Sequence, residues 1–243
     1  MGEPSHLQLT IEQFKNQMET VFESQLVSIL VYGSAASSAY RPKKSDINFL
    51  VVLTEEGMKK LAGVQKFLKK WKKQHIAMPL IVTENYISES LDSFSIEFLN
   101  MKASYTLVMG KDVFSALEFD KKDVRLQCER ELKGKLLHLR EAFLMTLGNA
   151  KTMKQLIGRS VTTFTAIFNG LLFIKGQPIP TSKQETVIAT CKKFDEIDEA
   201  LFSELLKIRS GEYKPGKQEL KEKIELYIQQ IQALSQSVDQ MKL

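Results

Sequence analysis

The sequence is poor in the residues that build disulfide scaffolds and zinc sites. It has 243 residues, with two cysteines and three histidines. His6, His75 and His138 show no metal-ligand spacing, which argues against a histidine-based zinc site. Cys128 and Cys191 fall in segments with helical periodicity, so we expect free thiols that act as small core residues. A disulfide between the two helices stays open, but a cytoplasmic protein is the simpler inference.

Long apolar runs and a leader region are absent as well. No stretch approaches the roughly 20 apolar residues that cross a membrane. The segment from Met1 to His6 has neither a basic nor an apolar leader. Apolar residues make up 43% and charged residues 26%, as in an ordinary globular protein. We therefore expect a protein without a membrane partner.

Strand and helix patterns alternate in the first half of the chain. Short β-branched or apolar runs, bounded by Gly, Pro or polar residues, predict four strands at 26–32, 47–53, 78–83 and 105–109. Helical spacing predicts helices at 7–24, with Thr10 and Gln13 as a capping box, and at 55–74. Together these elements predict strands mixed with flanking helices over residues 1–118.

After residue 120 the strand signal disappears. Periodic apolar residues, punctuated by Gly and Pro, predict helices at 124–147, 151–174, 182–193, 197–209 and 217–241. The prediction is an α+β protein, with a mixed sheet and flanking helices in residues 1–118 and an all-α helical bundle in residues 119–243.

One motif connects the first two strands. Gly33 and Ser34 follow the end of the strand at 26–32. Eleven residues intervene, and Asp46-Ile-Asn48 then opens the next strand. Gly33 permits close backbone approach to a ligand, and the N–H groups that follow it favour phosphate. Side chains 46 and 48, two positions apart on a strand, share a face. The arrangement suits a triphosphate held between the turn and metal ions.

With this motif the chain resembles the nucleotidyltransferase superfamily, which includes polymerase-β-like enzymes and aminoglycoside adenylyltransferases. The matching residues are Val31-Tyr-Gly-Ser34, Asp46-Ile47 and the apolar run from Phe49 to Leu53. The resemblance implies that Gly33 and Ser34 bind the phosphates of ATP and that Asp46 binds Mg²⁺. Many bacterial members append a helical bundle, so the resemblance extends loosely over the whole chain.

Asn48 departs from the family pattern, which has a second carboxylate at this position. An amide oxygen can ligate Mg²⁺, so Asp46 and Asn48 are the predicted metal ligands, but hard cations are held largely by carboxylates. Two-metal transfer neutralises the attacking and leaving oxygens together, and loss of one carboxylate weakens the second ion most. A third acidic residue is usual on a later strand, and the strand at 78–83 has none. Glu84, just beyond that strand, and Glu97 are the candidates for general base.

Lysines offer further candidates for phosphate contacts. Lys43 and Lys44 lie just before Asp46, with Ser45 between them and it, although exposed loop lysines are the ordinary case. Seven lysines lie between Lys59 and Lys73. We interpret them as the solvated face of a helix whose apolar positions face the sheet, rather than as a nucleic-acid surface. Nucleic acid is therefore not an expected partner.

The sequence is compatible with three functions. The first is transfer of a nucleotidyl group, most simply AMP from ATP, to the hydroxyl of an unknown small-molecule or macromolecular acceptor. The second is nucleotide binding without catalysis, because the metal site has decayed. The third is an interaction role for the helical bundle, as in antitoxin-like regulators. A homodimer, in which a second subunit's bundle completes the cleft, is also an expectation.

Overall fold

The computed structural model describes residues 5–37, 40–43 and 45–243. They form two compact units, the first within residues 1–91 and 100–118, the second of residues 92–99 and 119–243. The structure therefore assigns residues 92–99 to the second unit, whereas the sequence boundary between 118 and 119 placed them in the first. That boundary stays a prediction.

The first unit is built on a mixed sheet whose described strands have the order β3-β2-β1-β4. The strands are β1 (Leu26–Tyr32), β2 (Asn48–Leu53), β3 (Leu80–Thr83) and β4 (Tyr105–Gly110). β1 is antiparallel to both β2 and β4, and β2 is parallel to β3. All four predicted strands are confirmed within two residues. β1 and β2 are nearly continuous apolar runs because both faces of the central strands are buried.

Helices cover this sheet. They are α1 (His6–Phe22), α2 (Glu55–Met58), α3 (Leu68–Lys73) and α4 (Glu84–Glu89), with 3₁₀ segments at Glu23–Gln25, Gly33–Ala36 and Leu61–Phe67. A fifth helix, α5 (Ser95–Ala103), contributes residues to both units. Phe14 of α1 stacks on Phe49 of β2 with ring centroids 3.7 Å apart. Trp71 is buried beside them, and its Nε1 donates to Oε1 of Gln17 at 2.7 Å.

Two predictions for this unit are wrong. The helix expected over 55–74 is divided into α2, a 3₁₀ segment and α3. Gly63 explains part of the break, because glycine weakens a helix interior. A larger residue is disfavoured at this position, since a Cβ there would lie 2.8 Å from Cγ1 of Val21. The cap of α1 is Ser5, which forms a capping box with Gln8. Thr10 lies inside the helix and donates its hydroxyl to the carbonyl oxygen of His6.

The second unit is a helical bundle, as predicted. Its helices are α6 (Lys121–Met145), α7 (Ala150–Ile174), α8 (Lys183–Cys191), α9 (Glu199–Ser210) and α10 (Lys217–Asp239). Each lies within three residues of its predicted ends. α7 packs against the other four helices. Four of its side chains that line the core are buried: Phe164, Phe168, Leu171 and Leu172.

α7 is long and apolar enough to cross a membrane by length and composition, which the sequence reading did not expect of any segment. Just over half of the most apolar 18-residue stretch of α7 is buried inside the protein. Its buried side chains include Met153, Ile157 and Val161, which belong to the same hydrophobic cluster as the other helices of the bundle. Burial in this cluster accounts for the apolar character of α7.

The two cysteines are free, as expected. Burial raises the pKa of the Cys191 thiol to about 11 and raises the pKa of the Cys128 thiol further. Both thiols are therefore protonated at neutral pH, which suits small core residues and does not suit nucleophiles.

Candidate functional site

Gly33 begins the turn that leaves β1. Its φ of 73° lies in the left-handed region that favours glycine. Its N–H donates to the carbonyl oxygen of Ser104 at 2.8 Å, and the Ser104 hydroxyl donates to the Gly33 carbonyl oxygen at 3.2 Å. Residues Gly33–Ala36 form one 3₁₀ turn, and the N–H of Ser37 donates to the Ser34 carbonyl oxygen. Ser104, which the sequence analysis missed, therefore fixes the backbone of the turn.

Asn48 lies against this turn. The antiparallel pairing of β1 and β2 places Asn48 opposite Tyr32, directly before Gly33. Nδ2 of Asn48 lies 3.5 Å from the position that a Cβ on Gly33 would occupy. The structure thus brings together the glycine and the amide that the motif singled out.

Asp46 stands just before β2 and is exposed. The next residue, Ile47, forms a parallel bridge with Ile76, and its N–H donates to the carbonyl oxygen of His75 at 2.8 Å. This pairing brings Nδ1 of His75 to 4.0 Å from Oδ1 of Asp46. His75 has a φ of 55°, so its backbone is also left-handed. The sequence analysis missed His75. The available signal was its position just before the predicted strand at 78–83, which pairs in parallel with β2.

Asp46 also lines an open cleft of about 380 Å³. The other residues that line it are Leu68, Trp71, Lys72, His75, Ile76, Ala77 and Met78. The cleft combines apolar surface with one carboxylate, one ammonium group and one imidazole. Apart from Asp46, its lining comes from α3 and from the segment that connects α3 to β3.

The two lysines proposed for phosphate contacts precede Asp46. Lys43 is exposed in a turn closed by a hydrogen bond from the Ser45 N–H to the Arg41 carbonyl oxygen. Lys44 lies outside the described residues. A phosphate contact by either lysine stays a prediction. The seven lysines from Lys59 to Lys73 are exposed, as predicted for a solvated face.

Glu84 lies at the opposite end of the strands from Asp46 and Asn48. Thr83 pairs with Leu53, so Glu84 follows the end of β2 that is opposite to Asn48. The two ends of the six-residue strand β2 lie about 17 Å apart at the usual rise per residue. Glu84 instead forms an ion pair with Lys111. It is therefore badly placed to serve as general base for chemistry at Asp46.

Glu97 belongs to the second unit. Its carboxylate is exposed and accepts a hydrogen bond from Nε2 of Gln127 at 2.5 Å. Gln127 is buried, and its Oε1 accepts from the N–H of Ile96. Glu97 is thus held by a buried amide, and a catalytic role for it stays a prediction.

The donor set around Asp46 does not fit a two-ion magnesium centre. The four described strands contain no aspartate or glutamate. Within the part of the chain that the structure describes, no three histidine, cysteine or acidic side chains are grouped so that they could hold a metal ion. Asp46 contributes one carboxylate and Asn48 a neutral amide. Binding of a single Mg²⁺ ion by these two residues stays a prediction.

Comparison with known proteins identifies the fold. No protein-family model matches the chain, and no match was found among curated proteins. Among solved structures, it is similar to spectinomycin adenyltransferase AAD(9) from Enterococcus faecialis, which was crystallised with ATP and spectinomycin. The TM-score is 0.51 at 12% sequence identity, over 92% of this chain and 98% of that one. A nucleotidyltransferase-like protein from Exiguobacterium sibiricum 255-15 aligns with a TM-score of 0.42 at 14% identity, over 94% of this chain and 75% of that one.

At such identities the likeness shows the fold alone. The chain has the α+β fold of a nucleotidyltransferase, with a mixed sheet, flanking helices and a C-terminal helical region. The fold that the Gly33-Ser34 and Asp46 motif implied is confirmed.

Proposed function

We propose that this protein binds a nucleoside triphosphate, with ATP as the first candidate, at the edge formed by Gly33, Ser34, Asp46 and Asn48. Nucleotidyl transfer at this edge is absent or strongly reduced. The placement of the Asn48 amide beside Gly33 carries the proposal. The nucleotidyltransferase fold supports it, as does the ATP held by the structural neighbour.

Asn48 changes what this edge offers to a phosphate. A carboxylate is only an acceptor, so it faces a phosphate group only through a cation. An amide nitrogen is a donor and binds a phosphate oxygen directly. Nδ2 of Asn48 lies beside Gly33, whose lack of a side chain permits close approach of a ligand to the backbone. The Ser34 hydroxyl adds a second donor. The edge therefore favours phosphate binding that does not depend on two metal ions.

The same substitution removes what transfer requires. Phosphoryl-type transfer depends on positive charge that neutralises the attacking and leaving oxygens together. With one carboxylate at Asp46, an amide at Asn48 and Glu84 at the far end of β2, this neutralisation is incomplete. We propose that ATP is held as a ligand in the cytoplasm, and that the residual reaction, with an unknown hydroxyl acceptor, is slow.

Calorimetric titration with ATP tests this proposal. Wild type is titrated in EDTA and again with Mg²⁺, beside Asn48→Asp and the control Asn16→Asp, which makes the same change on the exposed face of α1. Wild type binds ATP under both conditions. Asn48→Asp binds about tenfold or more weakly in EDTA, because a carboxylate repels phosphate, and recovers with Mg²⁺. Asn16→Asp behaves like wild type. If wild type gives no binding heat under either condition, the protein is not a nucleotide binder.

Release of pyrophosphate measures the transfer. Spectinomycin, the compound bound by the structural neighbour, serves as the first acceptor. We expect little or no turnover by wild type and clearly faster turnover by Asn48→Asp with Mg²⁺. Wild-type turnover that is as fast as that of Asn48→Asp and that Asp46→Ala abolishes would show an active transferase and would contradict the reduced catalysis.

An interaction role for the helical bundle is the second candidate function. It is favoured by a separate observation, the exposed leucines of α6.

A further inference from the structure

The outward face of α6 carries large apolar side chains that no described residue covers. Leu126, Leu137, Leu144 and Met145 are exposed by 59%, 65%, 75% and 74%. The three leucines are spaced 11 and 7 residues apart, so they point in the same direction to within about 20° on an α-helix. The buried residues of α6 are Val124, Gln127, Cys128, Leu132, Leu136 and Leu139. Lys133 points in the same direction and interrupts the row between Leu126 and Leu137, but its ammonium group is already paired with Glu129 and Asp239. Exposed apolar side chains that are aligned in this way mark an interaction surface.

Gly134 interrupts the same exposed side of the helix. A Cβ at this position would meet no atom within 4 Å, so nothing within the protein requires a glycine there. Glycine weakens a helix interior. On a helix surface it also leaves a notch that lets the side chain of an approaching helix lie close to the backbone.

The charges along this face are arranged for self-pairing. Arg130 lies on one side of Gly134 and Leu137 along the helix, and Glu141 lies on the other. Both charges are exposed. Their internal contacts are long: Nη2 of Arg130 donates to the Ser93 carbonyl oxygen at 3.3 Å, Nε of Arg130 lies 3.9 Å from Oε1 of Glu131, and Glu141 lies 3.7 Å from Nδ1 of His138. A helix that runs in the opposite direction would present Glu to Arg and Arg to Glu.

We propose that this face is a homodimer interface in which α6 of each copy packs antiparallel on the other, about a two-fold axis between residues 135 and 136. In this register Arg130 faces the partner's Glu141 and Leu137 fills the notch at the partner's Gly134. Leu126 meets the partner's Met145 at each end, about 29 Å from the other end at the usual helical rise. The two-fold repeats every contact, as an isologous interface requires.

The pattern selects a second copy over an unrelated partner, because the charges complement themselves. A parallel pairing in the same register would oppose Arg130 to Arg130 and Glu141 to Glu141, and like charges across an interface suppress association. Charge complementarity therefore determines both the occupant and its direction.

Sedimentation velocity from about 1 to about 100 µM tests the dimer. Wild type dimerises within this range. Arg130→Glu and Glu141→Arg each raise the dissociation constant about tenfold or more, because each brings like charges together. The double variant Arg130→Glu/Glu141→Arg restores association to within about threefold. Leu137→Asp abolishes it, whereas Leu226→Asp, at an exposed leucine on α10, does not.

Circular dichroism verifies that each variant is folded. Wild type that stays monomeric over the whole range overturns the proposal. So does a double variant that is no better than the single charge reversals, or an effect of Leu226→Asp equal to that of Leu137→Asp.

Discussion

The side-chain amide nitrogen of Asn48 lies 3.5 Å from the position that a Cβ on Gly33 would occupy. Gly33 directly follows β1 and Asn48 begins β2, and the antiparallel register Tyr32↔Asn48 brings them together. A side chain at position 33 would therefore enter the space beside the amide. It would also have to adopt a φ of 73°.

Gly33→Ala is expected to damage both stability and binding. The left-handed backbone costs about 1 kcal/mol for a residue with a Cβ, and the new methyl group occupies space that the phosphate needs. Urea denaturation and ATP calorimetry measure the two effects. Gly176→Ala is the matched control, because Gly176 has a φ of 67° and no neighbour within 4 Å. It should lose similar stability and bind ATP normally. Unchanged ATP binding by Gly33→Ala would contradict the assignment of this turn to phosphate.

Asp46→Asn is expected to strengthen ATP binding in EDTA, by about threefold or more, because it removes a negative charge beside the phosphates. The same variant should lose any enhancement by Mg²⁺. Titrations in EDTA and in Mg²⁺ measure both effects. Weaker binding in EDTA would show that Asp46 contacts the nucleotide as a hydrogen-bond acceptor.

Glu84→Gln should leave ATP affinity within about twofold of wild type. The residue follows β3 at the end of the sheet away from Asn48, and its partner is Lys111. Loss of this exposed pair should lower the free energy of unfolding by less than about 1 kcal/mol. Calorimetry and urea denaturation measure the two quantities. A large loss of affinity would show that the nucleotide reaches the far end of β2.

Most of the fold was accessible from the sequence because its signals are long and periodic. The helices of the bundle extend over many turns, and the strands β1 and β2 are short β-branched runs that end in clear turns. The predicted helix over 55–74 failed because burial of Val64 and Trp71 is compatible with several short helical pieces. Apolar spacing alone does not distinguish a 3₁₀ segment from an α-helix over seven residues.

Only part of the candidate site could be predicted from the sequence. Gly33, Ser34, Asp46 and Asn48 stand in a local motif, so spacing found them. His75 and Ser104 reach the site through pairing between distant segments, by the bridge of Ile47 with Ile76 and the hydrogen bonds of Ser104 with Gly33. Such contacts depend on strand order and register, which one sequence does not determine.

Gln127→Leu should destabilise the protein by about 1 kcal/mol, because Oε1 of the buried Gln127 accepts from the Ile96 N–H at 2.7 Å. Glu97→Gln keeps the acceptor for the Ile96 N–H and gives Nε2 of Gln127 a neutral amide oxygen as its partner. It should lose less stability in urea denaturation than Gln127→Leu. If Glu97→Gln is as destabilising as Gln127→Leu, the loss comes from the pair with the Glu97 carboxylate rather than from the hydrogen bond to Ile96.

Gly170→Ala should also be destabilising, by about 1–2 kcal/mol, although alanine favours helices. A Cβ on Gly170 of α7 would lie 2.8 Å from Sγ of Cys128 on α6, in a fully buried layer. Gly158→Ala, in the same helix, is the control, because its nearest atom would be Cγ of Arg209 at 3.8 Å. That variant should gain up to about 1 kcal/mol.

Cys128→Ala removes the sulfur that the new methyl group would meet. In this background Gly170→Ala should change from destabilising to neutral or stabilising, because the methyl group fills part of the space that the sulfur leaves. A double-mutant cycle of urea unfolding free energies measures the coupling. Additive effects would show that the backbones of α6 and α7 move apart to admit the methyl group. In that case close packing at Cys128 would not be the reason for the glycine.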